Sequence, residues 1–266
     1  MTSSTSRPLA MITGASSGIG LELAKQFAGH GFDLLLNAED DRLDRAAAEL
    51  TATGVGVRSV RADLRTAEGV ERLWSAASAI GRPLDAVALN AGVGKGGRFV
   101  DTELADELAI IDLNITSTVR LAKHVLRDMT ARDDGRVLIT SSIASTMPGS
   151  FQAVYNASKS FLQSFAEALQ EELRDSAVTV TSLMPGPTET DFFRRADMED
   201  TKVGASDKDD AAQVAQQGFE ALMKGERRVV AGSLGTRAQE AAGKAIPDAL
   251  KAKMHRKMAE PGSAER

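Results

Sequence analysis

Tyr155 and Lys159 have the types and spacing of a proton-transfer pair. They are four residues apart, so they share one face if the segment is a helix. A phenol has a pKa of about 10 and is a poor base at neutral pH, but a nearby ammonium favours the phenolate. Lowering that pKa to about 7 requires about 4 kcal/mol. Ser142 follows a predicted strand, at the sheet edge where open α/β folds bind ligands. The group therefore predicts acid–base chemistry.

Each of these residues also has a simpler interpretation. A tyrosine near a lysine on a helix is usually a surface pair, but Tyr155 is the only tyrosine among the 266 residues. Ser141 competes with Ser142 as the reactive hydroxyl. The histidines show no spacing typical of a metal site or a catalytic triad, so we interpret them as structural; they are His30, His124 and His255.

A glycine-rich run near the N-terminus has the pattern of a phosphate-binding loop. Its glycines allow a tight turn and bring backbone N–H groups close to a pyrophosphate, and the helix that follows adds a favourable dipole. The alternative is a strand–helix turn without a ligand. The run is Thr13-Gly14-Ala15-Ser16-Ser17-Gly18-Ile19-Gly20. Its candidate cofactor-binding residues are Gly14, Ser16, Ser17, Gly18, Ile19 and Gly20.

Short apolar runs alternate with helical patterns, and these elements must position the candidate residues. Strands are predicted at about 9–13, 33–37, 57–61, 86–90, 136–140, 178–183 and 228–230. Helices are predicted at about 18–30, 41–53, 66–80, 102–129 and 155–174. This alternation predicts an α/β fold with a doubly wound parallel sheet that is covered by helices on both faces.

The chain is expected to form one domain over residues 1–266. Residues 1–7 are polar, and we expect a flexible tail there. Residues 188–225 include a charged, irregular stretch that favours a small helical lid over the substrate. Residues 235–266 are expected to form a C-terminal helical extension.

The composition excludes several classes of function. A net charge of −5 argues against general nucleic-acid binding, which usually needs a basic face. The chain has no cysteine, which excludes disulfides, thiolate catalysis and cysteine-bound metals. No apolar run approaches the roughly 20 residues of a membrane-spanning helix, and the N-terminus lacks the apolar core of a signal peptide. We therefore expect a cytoplasmic protein with no nucleic-acid, membrane or metal partner.

Three motifs, taken in order, resemble those of the short-chain dehydrogenase/reductase family. They are the TGxxxGxG turn, the Asn90-Ala91-Gly92 run after the fourth predicted strand, and the YxxxK pair. The resemblance extends from about Pro8 to Val230. It implies a Rossmann-type fold, mostly a seven-stranded parallel sheet, and NAD or NADP as cofactor.

The resemblance also implies roles at the reaction centre. Ser142, at the family's spacing of thirteen residues before Tyr155, would polarise the substrate carbonyl. Tyr155 would transfer the proton, and Lys159 would lower the tyrosine pKa and bind the nicotinamide ribose. Asn114 would hold a proton-relay water, although it could instead satisfy backbone groups inside a helix.

Two further parts of the chain resemble cofactor-binding positions around the adenine. Asp63 would accept a hydrogen bond from the adenine amino group while Leu64 packs nearby, although an aspartate at a strand end is often only a cap. Asn90 would fix the neighbouring backbone, together with Ala91 and Gly92.

A loop after the sixth predicted strand resembles the family's nicotinamide-binding loop. Pro185, Gly186 and a threonine would contact the carboxamide, which implies pro-S hydride transfer. Thr190 fits this role better than Thr188, because the place of Thr188 is more often held by an aliphatic residue.

The residues after the second predicted strand bear on the choice between NAD and NADP. Glu39, Asp40 and Asp41 stand where an NADP-type member often places an arginine. A carboxylate accepts hydrogen bonds from ribose hydroxyls and repels a 2′-phosphate, which favours NAD. Ser17 also favours NAD, because some NADP-type relatives have a basic residue there. Arg42 keeps NADP possible, and the acids could simply complement a helix dipole.

The expected substrate is a small carbonyl or alcohol, and the sequence allows it to be hydrophobic. Apolar residues near the reaction centre or in the lid suggest apolar walls, although core positions explain them equally well; they are Met147, Phe151, Met184, Phe192 and Phe193. Relatives pair their subunits through the helices that carry Asn114 and Tyr155, so the resemblance implies a homodimer or homotetramer. The apolar residues of the Tyr155 helix could equally pack on the sheet.

These observations favour hydride transfer between NAD(P) and a carbonyl or secondary alcohol. One alternative is an epimerase or dehydratase of the same family, but such chains have a longer C-terminal domain. The other is a cofactor-binding sensor or scaffold without turnover. Relatives of that kind lose the Tyr or the Lys, whereas this chain keeps both.

Overall fold

A parallel sheet of seven strands forms the centre of the molecule. The structure is a computed structural model that describes residues 7–243 and 246–265. The strand order is β3-β2-β1-β4-β5-β6-β7. The strands are β1 (Leu9–Thr13), β2 (Asp33–Ala38), β3 (Val57–Arg61), β4 (Ala86–Leu89), β5 (Gly135–Thr140), β6 (Val178–Pro185) and β7 (Arg228–Ala231). The predicted doubly wound α/β fold is confirmed.

Helices cover both faces of this sheet. They are α1 (Gly18–Gly29), α2 (Arg42–Thr51), α3 (Ala67–Ser78), α4 (Leu104–Ile110), α5 (Ser117–Ala131), α6 (Ala153–Glu172), α7 (Phe192–Arg195), α8 (Lys202–Ala205), α9 (Ala211–Met223), α10 (Leu234–Gly243) and α11 (Asp248–Ala259). One buried cluster joins the sheet to α1, α2 and α9, and a second joins it to α3, α5 and α6.

The alternation of side chains along β1 shows how one strand serves both cores. Ala10 and Ile12 belong to the cluster under α1, while Leu9 and Met11 belong to the cluster under α5. Because successive side chains in a strand point to opposite faces, a strand buried on both sides is apolar throughout. This is why the central strands read as continuous apolar runs.

The strand order reverses beside β1, and the reversal creates the site. β1 pairs with β2 on one side and with β4 on the other, so the chain leaves β1 and β4 in opposite directions. In open α/β sheets such a switch point leaves a crevice at the carboxyl ends of the strands. The glycine-rich turn follows β1, and Asn90 follows β4.

One predicted helix is interrupted where it passes the site. The helix expected at about 102–129 is divided into α4, a π-helical turn at Ile111–Thr116, and α5. Asn114 lies within the π-helical turn. Such turns are rare and are often found at functional sites.

The expected lid region, 188–225, has two different parts. Its first part holds the short helices α7 and α8 near the cleft. Its second part is α9, which packs against α1 and buries Val214 and Phe219 in the core under the sheet. Helix α9 is therefore the crossover between β6 and β7, and placing it in a lid was wrong.

The two ends of the chain fit the remaining expectations only in part. Residues 1–6 of the expected tail lie outside the described residues. Arg7, its last residue, donates a hydrogen bond to the Gly54 carbonyl and lies 4.0 Å from the Asp33 carboxylate. The C-terminal stretch contains α10 and α11, with residues 244, 245 and 266 outside the described part.

Several large apolar side chains remain exposed on one side of the molecule. Leu104, Leu108 and Ile111 on α4 and the π-helical turn are exposed, and Phe161 on α6 is 40% exposed. Leu162 of the same helix is buried in the core instead. The homodimer or homotetramer stays a prediction that this apolar surface supports. No helix within residues 7–243 and 246–265 is long and apolar enough to cross a membrane.

Candidate active site

A cleft at the carboxyl ends of β1, β4, β5 and β6 brings most of the candidate residues together. It runs from the glycine-rich turn, past Asn90 and Ser142, to Tyr155 and the lid. The predicted site residues that line it are Gly14, Ser16, Ser17, Gly18, Ile19, Gly20, Glu39, Asp63, Leu64, Asn90, Ala91, Gly92, Ser142, Tyr155, Lys159, Pro185, Gly186, Thr188 and Thr190. Asn114 and Arg42 do not line the cleft, but each forms hydrogen bonds with residues that do.

The glycine-rich turn has a backbone that residues other than glycine rarely adopt. Gly14 and Gly18 have φ values of +69° and +54°, a region that disfavours side chains with a Cβ. A Cβ on Gly20 would lie 2.1 Å from the Gly14 carbonyl oxygen, so this position must also be glycine. The turn therefore leaves its backbone open to the cleft at the N-terminus of α1.

Thr13 and Asn90 tie this turn to the end of β4. The Thr13 hydroxyl accepts hydrogen bonds from the backbone N–H groups of Asn90 and Ala91, at 2.9 and 3.0 Å. The Asn90 side chain donates to the Thr13 carbonyl at 3.1 Å and accepts from the Thr140 hydroxyl at 3.1 Å. Sequence reasoning missed Thr13 and Thr140, whose hydroxyls have partners only after the strands pair.

Ser142 and Tyr155 meet at the reaction end of the cleft. The Ser142 hydroxyl lies close enough to the Tyr155 phenol to affect its pKa. It donates a hydrogen bond to the Pro185 carbonyl at 3.4 Å and accepts one from the Ala144 N–H at 3.1 Å. The neighbouring Ser141 points elsewhere, since its hydroxyl donates to the Lys159 carbonyl at 3.0 Å. The structure thus places Ser142, and not Ser141, against the phenol.

Burial controls the acidity of Tyr155 in the free protein. It raises the pKa of Tyr155 to about 12, and the neighbouring Ser142 hydroxyl only partly opposes it. The Lys159 Nζ lies 5.9 Å from the centre of the Tyr155 ring. That Lys159 lowers the pKa of Tyr155 stays a prediction.

Lys159 is itself a buried cation. It is 5% exposed, and its Nζ donates a hydrogen bond to the Thr140 carbonyl at 2.9 Å. Burial lowers the pKa of Lys159 to about 8. Because that value is above 7, the ammonium still predominates at neutral pH.

Asn114 is fully buried and holds the loop after β4. Its side-chain oxygen accepts from the Val93 N–H at 2.9 Å, and its amide donates to the Val93 carbonyl and the Ser158 hydroxyl, both at 3.0 Å. The side chain thus satisfies backbone groups, as one interpretation expected. Its role in holding a relay water stays a prediction.

Glu39 lies at the other end of the cleft between two arginines. Its carboxylate is 2.8 Å from the Arg65 guanidinium and 2.9 Å from that of Arg195, which belongs to lid helix α7. Arg65 also binds Asp63 at 2.9 Å, and this pairing holds the pKa of the Asp63 carboxyl below its usual value. Sequence reasoning missed both arginines, because they are 26 and 156 positions away from Glu39.

Arg42 joins the cofactor side of the cleft to the lid. Its guanidinium lies 2.7 Å from Asp40 and 2.6 Å from Asp191, the residue before α7. Asp40 also accepts hydrogen bonds from the Ser16 hydroxyl and from the Arg42 N–H at the start of α2. Arg42 is engaged by two carboxylates and does not line the cleft.

The loop after β6 passes beside the glycine-rich turn. A Cβ on Gly18 would lie 2.9 Å from the Thr190 methyl group. The Thr190 hydroxyl accepts a hydrogen bond from the Phe192 N–H at 3.2 Å, at the start of α7. The Thr188 hydroxyl donates to the Gly186 carbonyl at 2.9 Å.

The substrate end of the cleft has largely apolar walls. Met147, Phe192 and Phe193 line it as expected, and the Phe192 ring lies 5.1 Å from that of Tyr155. Phe151 does not line the cleft, and Met184 is fully buried in β6, which fits the alternative that such residues belong to the core.

One histidine also reaches the cleft. His255 of α11 lines it together with Met258. His30 and His124 lie elsewhere, against Phe219 and Trp74. No cluster that could hold a metal occurs within the described residues.

The comparisons with known proteins agree with this architecture. The family described as "short chain dehydrogenase" matches residues 8–201. Oxidoreductase UcpA of Salmonella typhimurium is 32% identical over 216 residues, which cover 80% of this chain and 79% of that protein.

Two similar crystal structures are complexes with nicotinamide cofactors. A short-chain dehydrogenase/reductase from Burkholderia phymatum, solved with NAD, has a TM-score of 0.80 and 25% identity, covering 90% of this chain and 92% of that one. A short-chain dehydrogenase from Sphingobium yanoikuyae, solved with NADPH, has a TM-score of 0.77 and 28% identity, covering 91% and 97%. The chain belongs to the short-chain dehydrogenase/reductase family of oxidoreductases.

Proposed function

We propose that this chain transfers a hydride between a nicotinamide dinucleotide and a carbonyl or secondary alcohol, with Tyr155 as the general acid and base. One observation carries the proposal: Ser142 and Tyr155 lie together at one end of a cleft whose other end is an open glycine-rich turn. A reactive centre and a site for a pyrophosphate thus share one cavity.

The fit of the dinucleotide rests on residues along the whole cleft. The glycine-rich turn would hold the pyrophosphate, and Asp63 and Leu64 would hold the adenine. Lys159 would hold the nicotinamide ribose, and the loop after β6, with Thr190, would hold the carboxamide. When bound, the nicotinamide supplies or accepts the hydride.

Tyr155 carries the proton in this proposal. With a pKa of about 12 in the free protein, the phenol is protonated at neutral pH. It can therefore donate its proton to a substrate carbonyl oxygen that also accepts a hydrogen bond from Ser142. The reverse reaction requires the phenolate, and the buried Lys159 ammonium is the cation nearest to favour it.

NAD is the cofactor that the adenosine end favours. Glu39 and Asp40 both line the cleft there, and a carboxylate binds ribose hydroxyls but repels a phosphate. Arg65 and Arg195 neutralise Glu39, so the preference is expected to be modest. A relative complexed with NAD and another complexed with NADPH agree with a modest preference.

The substrate in this proposal is a small carbonyl compound with an apolar body. Phe192 and Phe193 of the lid and Met147 beside the reaction centre supply apolar walls near a single hydrogen-bonding pair. Such a pocket favours compounds whose polarity is concentrated at the reacting group.

Tyr155→Phe tests the mechanism. We expect this variant to bind NADH, measured by fluorescence titration, while kcat for a panel of ketones falls by at least about 1,000-fold. Retained cofactor binding separates lost chemistry from lost folding. Unchanged turnover would show that Tyr155 does not carry the proton, and a wild-type protein that binds NADH but turns over no carbonyl would favour the sensor instead.

The adjacent serines provide a matched pair of variants. Ser142→Ala should lower kcat by about 100-fold, because it removes the hydroxyl that contacts Tyr155. Ser141→Ala should have a much smaller effect, because that hydroxyl is bonded to the backbone of α6. Equal losses in the two variants would contradict the assignment of Ser142.

A further inference from the structure

Helix α11 lines the cleft, although it lies outside the part of the sequence that the family match covers. That match ends at residue 201, whereas α11 spans Asp248–Ala259. His255 and Met258 of this helix line the same cleft as Tyr155. This part of the pocket is therefore supplied by a segment that the family match does not cover.

The helix is fixed to the segment between Ser142 and Tyr155. Lys251 Nζ donates a hydrogen bond to the Thr146 carbonyl at 3.1 Å, and the Ser150 hydroxyl donates to the Ala252 carbonyl at 3.0 Å. On its other side Ala259 is buried against Phe193 of the lid. The position of α11 over the cleft is thus held from both sides.

A hydrogen bond to the backbone sets the orientation and the tautomer of His255. Its Nδ1 lies 2.9 Å from the Ser150 carbonyl oxygen. Because a carbonyl can only accept, Nδ1 carries the hydrogen, and in the neutral ring Nε2 is then an acceptor. Burial lowers the pKa of the His255 imidazole, so the neutral form predominates at neutral pH.

The second ring nitrogen of His255 is available to a ligand. None of the residues at 7–243 and 246–265 forms a hydrogen bond with Nε2. Most of the neighbouring walls are apolar, with Met147, Phe193 and Met258 among them. An acceptor in such surroundings loses its bonds to water when an apolar compound fills the cleft, unless that compound offers a donor.

We propose that His255 is a substrate-binding residue, and that the substrate is an apolar ketone, or the matching secondary alcohol, that carries a second hydroxyl away from the reacting carbon. The hydroxyl donates to Nε2 of His255 while the carbonyl oxygen lies at Ser142 and Tyr155. This inference rests on the proposed function, because it takes the reaction end of the cleft from it. The hydrogen bond to His255 is a second polar contact, and it favours ketones that carry such a hydroxyl.

A pair of probes tests the proposal by binding as well as by turnover. The probes are acetylnaphthalene and its analogue with a hydroxyl on the distal ring, and their affinities for the NAD-loaded protein are measured by calorimetry. We expect the wild type to bind the hydroxylated probe about tenfold more tightly, which is the effect of one net hydrogen bond.

The matched variants are His255→Asn and Met258→Ala. Asparagine can keep a donor for the Ser150 carbonyl but offers no acceptor at the place of Nε2. His255→Asn should therefore remove the tenfold preference, whereas Met258→Ala should weaken both probes by a similar factor and keep the preference. Thermal unfolding of each variant checks that α11 still packs on the protein.

The outcomes separate this inference from the proposed function. A wild type that binds the two probes equally, or binds neither, overturns the inference, and so does a preference that survives His255→Asn. A wild type that shows the preference but reduces neither probe supports the role of His255 and overturns the proposed reaction.

Discussion

The buried ammonium of Lys159 makes the reaction centre costly for folding. Burial holds its pKa at about 8, against 10.5 for an ordinary lysine. Because one pH unit corresponds to about 1.4 kcal/mol, keeping the charged form inside the folded protein costs about 3 kcal/mol at pH 7. A site that needs this charge should therefore be less stable than an apolar version of itself.

Lys159→Met is the perturbation that isolates this cost. The methionine removes the buried charge and keeps much of the apolar volume, but it leaves the Thr140 carbonyl without its partner. That lost hydrogen bond costs about 1 kcal/mol. We therefore expect the free energy of unfolding to rise by about 2 kcal/mol at pH 7, while ketone reduction is lost.

The pH dependence gives the sign of the effect. The pKa of Lys159 is lower in the folded than in the unfolded protein, so the cost is fully present below about pH 8. It fades as the pH rises from about 8 to 10.5, because the lysine is then neutral in the folded state. The advantage of the variant should fall from about 2 kcal/mol at pH 7 to about zero at pH 10.

Urea denaturation followed by circular dichroism at pH 7, 8, 9 and 10 measures this difference. Lys224→Met is the matched control, because the Lys224 side chain is 64% exposed. Its replacement should change the stability by less than about 0.5 kcal/mol at every pH. A Lys159→Met protein that is less stable than the wild type at pH 7, or a difference that does not depend on pH, would refute the reasoning.

Three further predictions concern the cofactor, the loop after β4 and the assembly. Glu39→Gln should raise the ratio of kcat/KM for NADPH over NADH by about tenfold, because it removes a carboxylate and leaves its two arginine partners to face a 2′-phosphate. Asn114→Leu should lower the free energy of unfolding by about 2–4 kcal/mol in urea titrations, since both backbone groups of Val93 lose their partner. Leu108→Asp should shift a homo-oligomer towards the monomer in light-scattering measurements, because a carboxylate is costly to bury in an apolar interface.

Each of these predictions has a control on the same chain. Glu22→Gln removes a carboxylate that pairs with Lys25 and should leave the cofactor ratio unchanged. Gln213→Ala, on the exposed side of α9, should change stability by less than about 0.5 kcal/mol. Leu234→Asp, at a site 82% exposed, should not alter the assembly. A variant that behaves like its control contradicts the corresponding prediction.

The sequence by itself determined the fold and the local parts of the site. Strands such as Leu9–Thr13 are apolar on both faces, and this pattern belongs to a parallel sheet covered on both sides. The positive φ values of Gly14 and Gly18 favour glycine, so the turn is visible in the sequence. Tyr155 and Lys159 share a helix face because the helical repeat brings residues four apart together. In each case the cause is local.

Only the tertiary structure decided what surrounds those residues. Glu39 meets Arg195 across 156 positions, and His255 reaches the cleft from a helix beyond the matched family region. Such contacts depend on where the crossovers place distant elements, which no spacing in the sequence records. The acidity of Tyr155 was decided in the same way. The sequence led us to expect that the Lys159 ammonium would lower the pKa of Tyr155. In the folded protein, burial disfavours the phenolate and raises that pKa to about 12.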